Sequence, residues 1–148
     1  MIFREVLGNL RDMEIIEEHI EKVAVEWHEA DKRLLRKTTD RGTEIGMALN
    51  GSGRLKHGDI LYAGPKKVIM IELLPAEAIV LEPRDMMEMA QICYQLGNRH
   101  APLFLDGDRV LVPFDQTIAE LFKKLGISVR VERRRLEHVL QPAAGHHH

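Results

Sequence analysis

The sequence has one cysteine, Cys93, so no disulfide can close within the chain, which fits a reducing compartment. No apolar run approaches the roughly 20 residues that cross a bilayer, and the first residues alternate apolar and charged side chains without a secretory pattern. Aromatic residues make up only 5%, few for the stacking platforms on which single-stranded nucleic acid lies. Neither sign of charge prevails. The 21 Lys and Arg against 23 Asp and Glu leave a formal net charge of −2 at pH 7, so no global basic field recommends nucleic acid or an anionic membrane. Cys-x-x-Cys, His-Glu-x-x-His, Gly-x-x-x-x-Gly-Lys and Gly-x-Ser-x-Gly are all missing, and no constellation singles out two carboxylates. These absences point to a cytoplasmic protein that is not an enzyme and takes neither nucleic acid nor membrane as partner.

What is present suffices for one ordinary domain or two very small ones: 148 residues, 45% of them hydrophobic. Residues 1–75 read as a small β domain, barrel-like or sandwich-like. Residues 2–7 form a short opening run, and Gly8-Asn9 supplies turn chemistry. The spacing of Ile15, Ile16, His19 and Ile20 admits a helix, a loop or a strand over residues 12–22. Residues 23–27 alternate as a half-buried strand. Residues 34–39 and 43–49 flank Asp40-Arg41-Gly42 as a hairpin, its glycine offering the positive φ of a short loop. After the loop Asn50-Gly51-Ser52-Gly53, residues 54–62 lead into a strand, and Ala63-Gly64-Pro65 separates it from apolar residues 66–73.

Pro75 marks the expected domain boundary, because the pattern changes beyond it. Residues 78–81 form an apolar strand closed by Pro83. Asp85 and Glu88 have capping-box spacing. Met89, Ile92, Cys93 and Leu96 fall at i, i+3, i+4 and i+7, one buried helical stripe. With Gly97 as the left-handed stop, the helix spans residues 86–96, and Met86, Met87 and Met89 read as core and filler. Leu103-Phe104-Leu105 and residues 108–112 flank Asp106-Gly107, a strong hairpin signal. Asp115 caps a second helix with Ile118, Leu121, Phe122 and Leu125 as its stripe. Lys123 and Lys124 complement its dipole, and Gly126 ends it. Residues 127–131 are the last strand. The order β-α-β-β-α-β is the ferredoxin-like split βαβ arrangement, assigned to residues 76–138, with residues 139–148 a flexible tail ending in histidine. The fold class is α+β.

Histidine is the unusual residue: 8 in all, with His146, His147 and His148 consecutive at the end. His19, His28, His57 and His138 show no ligand spacing with one another. His100 follows the first helix in a short loop, sterically free to coordinate nickel, copper or zinc. Taken alone such a residue is more often a surface or hydrogen-bonded loop histidine than a ligand, and one imidazole is not a site. In a two-fold dimer whose axis passes near this loop, both copies of His100 meet, and tail histidines complete the shell. The tail reads either as native donors or as an appended remnant, and three histidines are fewer than an engineered run usually carries. Cys93 sits on the apolar stripe and reads as core.

Gly97-Asn98-Arg99-His100 after the helix, Trp27 followed by Lys32-Arg33-Leu34-Leu35-Arg36-Lys37, Gly58-Asp59-Ile60-Leu61 and the histidine end together carry a resemblance. Over essentially its whole length the chain resembles the urease accessory nickel metallochaperones, the UreE family. That resemblance implies an N-terminal β domain that engages partner proteins and a C-terminal ferredoxin-like domain that binds metal and dimerises. It implies His100, paired with its symmetry mate, as the Ni(II) ligand, with His146, His147 and His148 as auxiliary ligands and Zn(II) or Cu(II) able to substitute. The implied partners are a second copy, the urease GTPase accessory protein and, through it, the urease apoprotein complex. Some relatives carry further histidines after the hairpin. Val112-Pro113-Phe114-Asp115 has none here, and three tail histidines imply delivery rather than storage.

A second reading takes the ferredoxin-like domain as a nucleic-acid or protein interaction module without a physiological metal, using Arg130, Arg133, Arg134 and Arg135. Glu132 and Glu137 dilute that patch, and the strands carry no RNP-like aromatic motif. A hydrolase with His100 as general acid or base lacks a visible nucleophile.

Overall fold

The structure, a computed structural model, describes residues 1–51 and 53–140. The chain divides into two units, Met1–Leu74 and Pro75–His148. The first contains β1 (Ile2–Phe3), β2 (Gly8–Asn9), two 3₁₀ turns at Leu10–Asp12 and Glu17–His19, β3 (Ile20–Val25) and a third turn at Trp27–Glu29. There follow β4 (Leu34–Thr38), β5 (Glu44–Ala48), β6 (Asp59–Ala63) and β7 (Val68–Leu73).

These strands form two sheets, ordered β1-β5-β4 and β2-β6-β7-β3. Val23, Val25, Ile69, Ile71 and Leu73 pack with Ile45 and Met47, giving the small β domain expected from the alternation. β7 is apolar at successive positions because both its faces are covered: Val68 and Met70, with Ile60, lie against Leu10, Ile15 and Ile20. The ambiguous stretch over residues 12–22 is thus a cover of turns feeding β3. Glu21, on β3 and only 4% exposed, accepts from the hydroxyls of Thr39 and Thr43, each at 2.7 Å, and pairs with Lys67 Nζ at 3.1 Å. Burial alone pushes this carboxyl up. The two hydroxyls and the ammonium outweigh it and hold the group below the ordinary carboxylate range.

The second unit contains β8 (Ala76–Leu81), α1 (Met86–Asn98), β9 (Leu103–Asp106), β10 (Arg109–Pro113), α2 (Gln116–Lys124), β11 (Val129–Arg134) and β12 (Val139–Leu140). Its sheet is ordered β11-β8-β10-β9-β12 and antiparallel throughout. The first four strands of that order are the ferredoxin-like arrangement. Both helices contribute to one core, where Ile92, Leu96, Ile118 and Phe122 meet Ile79, Leu81, Val110 and Val112. Each such side chain contributes about 1.5–3 kcal/mol by leaving water.

One strand was not expected. After β11 at one edge, the chain passes through the buried Leu136 and pairs at the opposite edge, Val139 with Phe104 and Leu140 with Leu103. The first two residues of the stretch read as tail are therefore strand. Residues 141–148, including His146, His147 and His148, lie outside the described residues. Among the described residues no helix is long and apolar enough to cross a membrane.

Candidate metal centre

α1 begins at Asp85, whose Oδ1 accepts from the Glu88 N–H at 2.8 Å. The other half of the expected capping box is redirected. Glu88 accepts from the backbone N–H of Arg84 at 3.3 Å and pairs with its guanidinium at 2.8 Å, because Arg84 offers a full charge one residue earlier.

The helix also runs past the glycine expected to stop it. Gly97 and Asn98 are helical, Arg99 is the cap, and the left-handed residue is His100 at φ 54°. Its N–H donates to the Gly97 carbonyl at 3.1 Å, and the Ala101 N–H donates to the Leu96 carbonyl at 3.0 Å. These are the paired bonds of a Schellman motif, with His100 where glycine is usual. The next residue decides the position of the stop, since it must pack back on the helix. Asn98 after Gly97 is polar, whereas Ala101 after His100 packs against the core that holds Leu96.

His100 is exposed, and no hydrogen bond or ion pair engages its imidazole among the described residues. It is the only non-glycine residue among them with positive φ, a conformation that costs about 1–2 kcal/mol for a side chain with a Cβ. Arg99 is turned back along α1, its Nη1 donating to Gln95 Oε1 at 3.0 Å, and a guanidinium cannot ligate. Leu140 lies opposite Leu103, three residues past His100. Because the pairing is antiparallel, β12 runs toward the His100 end of β9. Among the described residues no group of three or more His, Cys, Asp or Glu side chains is arranged to hold a metal ion, so His100 has no full ligand set within them.

Other candidates stand apart from this position. Cys93 is half-buried against the core, its Sγ 3.8 Å from Met89 Sδ, and burial pushes its thiol up, away from the thiolate a metal needs. Met86 and Met87 are not core: they are 86% and 75% exposed, and Tyr94 is 70% exposed. Met87, Ala90, Tyr94 and Gly97 are all exposed at i, i+3, i+7 and i+10. This second stripe was readable from helical spacing and ends beside His100. Among the described residues a Cβ at Gly97 would meet nothing within 4 Å, so packing against them does not require glycine there.

The arginines of β11 are engaged rather than open to a polyanion. Arg130 pairs with Glu82 and Glu132, Arg134 with Asp106 and Glu132, and Arg133 donates to the Pro75 carbonyl. His57 Nδ1 accepts from the Leu73 N–H at 3.2 Å, and His28 lies edge-on to Trp27.

Residues 3–74 match the family model of the UreE urease accessory protein N-terminal domain, and residues 66–148 match that of its C-terminal domain. Among curated relatives, the urease accessory protein UreE of Haemophilus influenzae (strain PittEE) is 42% identical, with 98% of this chain and 82% of that protein covered. UreE of Acetivibrio thermocellus is 38% identical over 86% of this chain and 84% of its own length. UreE of Bacillus sp. (strain TB-90) is 36% identical over 100% of this chain and 99% of its own. Both halves of the chain and its full length point the same way, and the chain belongs to the UreE family of urease accessory proteins, which are chaperones rather than enzymes.

Proposed function

We propose that this chain captures Ni(II) between the His100 imidazoles of two copies and delivers it for assembly of the urease active site. The observation that carries this reading is His100 itself, an exposed imidazole held in a strained backbone position with no partner of its own among the described residues. Strain without a packing return favours a chemical role. The exposed stripe of Met87, Ala90 and Tyr94 running along α1 toward His100 supports a second copy seated there. At Gly97 the absence of a Cβ permits close approach of the two backbones. A two-fold axis at that point makes the two histidines neighbours.

Nickel takes more than two donors, and His146, His147 and His148 with water supply the rest. Zn(II) and Cu(II) suit the same imidazoles, copper binding tightest on the Irving–Williams order. A shell this open releases its ion by ligand exchange. In the cytoplasm the ion passes to the urease GTPase accessory protein and, through it, to the urease apoprotein complex. In this division of labour residues 1–75 bind partners, residues 76–138 bind metal and dimerise, and residues 139–148 lend donors.

Calorimetric nickel titration with light-scattering mass, run on the intact chain, the chain ending at Ala144 and His100→Ala, tests the reading. The expected result is that His100→Ala abolishes a tight event at about one ion per dimer, while the truncation only weakens it. Equal binding by all three would make His100 an ordinary loop histidine.

A further inference from the structure

An imidazole that binds a cation has an awkward neighbour here. From Met89 to Leu105 the chain carries one formal charge, the positive charge of Arg99, directly before His100. A guanidinium stays protonated wherever nickel binds, and its repulsion of a divalent ion grows as the two approach. Pairing the histidines across a two-fold axis doubles the difficulty, since each copy brings its own Arg99.

The last turn of α1 draws that charge aside. Arg99 is the cap residue, with φ −95° and ψ −1° still in the helical region, and side chains of helical residues lean toward the N-terminus of the helix. Its Nη1 donates to Gln95 Oε1 at 3.0 Å and lies 3.5 Å from the Gln95 carbonyl oxygen. The last turn holds no basic residue of its own, so this guanidinium is the cation that meets the negative end of the helix dipole. The left-handed turn at His100, φ 54°, then takes the chain off the helix.

We propose that Gln95 is a positioning residue for the metal site: its side-chain oxygen holds the Arg99 guanidinium back along α1, so that the nearest positive charge stays clear of an ion at His100. The inference rests on the reading that His100 binds the ion. An amide oxygen suits the task. A carboxylate at this position would grip the guanidinium more tightly, but it would also offer the ion a competing donor. An i, i+4 bond on a helix surface is weak by itself; here it acts on the same group as the dipole, and once in each copy.

A double-mutant cycle on the full-length chain, read by calorimetric titration with Ni(II), tests it. Gln95→Ala should weaken nickel binding by about threefold to fivefold, the loss shrinking in high salt. Arg99→Ala should bind at least as tightly as the unaltered chain. Adding Gln95→Ala to Arg99→Ala should change nothing, because the glutamine then has no cation to hold. A glutamine that merely supported the helix would cost the same in both backgrounds. In the metal-free chain, NMR relaxation of Arg99 Nε should report a more ordered side chain than in Gln95→Ala. The inference is overturned by unchanged affinity in Gln95→Ala while His100→Ala abolishes binding, or by weaker binding in Arg99→Ala. Equal losses from Gln95→Ala in both backgrounds, or an Arg99 side chain equally mobile with and without Gln95, overturn it too. If His100→Ala binds as the unaltered chain does, the nickel reading itself falls and takes this inference with it. Light scattering checks that the variants keep the same mass, and circular dichroism that they fold.

Discussion

The two helices of the second unit end in the same motif on different residues. α2 closes on Gly126, φ 76°, whose N–H donates to the Lys123 carbonyl at 3.1 Å while Ile127 donates to Phe122 at 2.9 Å. α1 closes on His100, φ 54°, with bonds of 3.1 and 3.0 Å in the same places. Ile127 and Ala101 then pack against the same core. The backbone asks the same of both positions. Glycine meets that demand without strain, so Gly126 is fully explained by the turn it makes. His100 is not, because its Cβ is strained there and its ring makes no hydrogen bond or ion pair among the described residues to repay it. The difference separates a residue that geometry explains from one that geometry leaves unexplained.

Changing the two end residues breaks this comparison most severely. In His100→Gly the turn survives and the proposed ligand is gone, so nickel affinity should fall by about a hundredfold or more, as read by calorimetry. Undiminished binding would leave the strained histidine without a chemical account. For the intact chain, nickel affinity should decline below roughly pH 6, because only neutral imidazole ligates. Full affinity at acid pH would argue for another donor.

Gly126→His places the same side chain in the same backbone conformation. It should lower stability by about 1 kcal/mol, read from the denaturant midpoint, and create no tight nickel site, since the exposed stripe of α1 and the tail lie elsewhere in sequence. A nickel site of equal strength there would mean that any histidine at a helix end suffices. The converse change, His100→Gly, should raise stability by about 0.5–1 kcal/mol, the relieved strain being partly offset by the freer unfolded chain. A loss of stability would show that the ring packs after all.

How much of this was legible in the sequence follows from the same two ends. Gly126, followed by apolar Ile127, marked its stop plainly. At α1 the strongest left-handed former, Gly97, drew the stop three residues too early. The packing requirement on the following residue, met by Ala101 and not by Asn98, outweighed glycine's preference. The Asp106-Gly107 hairpin and the caps at Asp85 and Asp115 were local signals, and the ferredoxin-like order followed from them. β12 was not readable, because a two-residue strand is defined by a distant partner, Leu103 and Phe104, and by nothing in Val139-Leu140 itself. The exposure of Met86 and Met87 was hidden by reading methionine as core filler when only helical phase tells the faces apart.

The smallest effect concerns the tail. Leu140 is fixed beside Leu103, and the six residues from there to His146 can span up to about 20 Å. The three residues from Leu103 back to His100 cover at most about 10 Å, so contour length alone does not exclude the proposed help from His146, His147 and His148. In the proposed site a short tether gives millimolar effective concentrations, but its donors would replace water at positions an ion fills anyway. Ending the chain at Ala144 should therefore weaken nickel binding by roughly tenfold or less, well short of the loss in His100→Gly. No change would leave His100 as the site and remove the tail from it. A loss equal to that of His100→Gly would transfer the main ligand role to the tail, and the strained histidine at the end of α1 would again need another explanation.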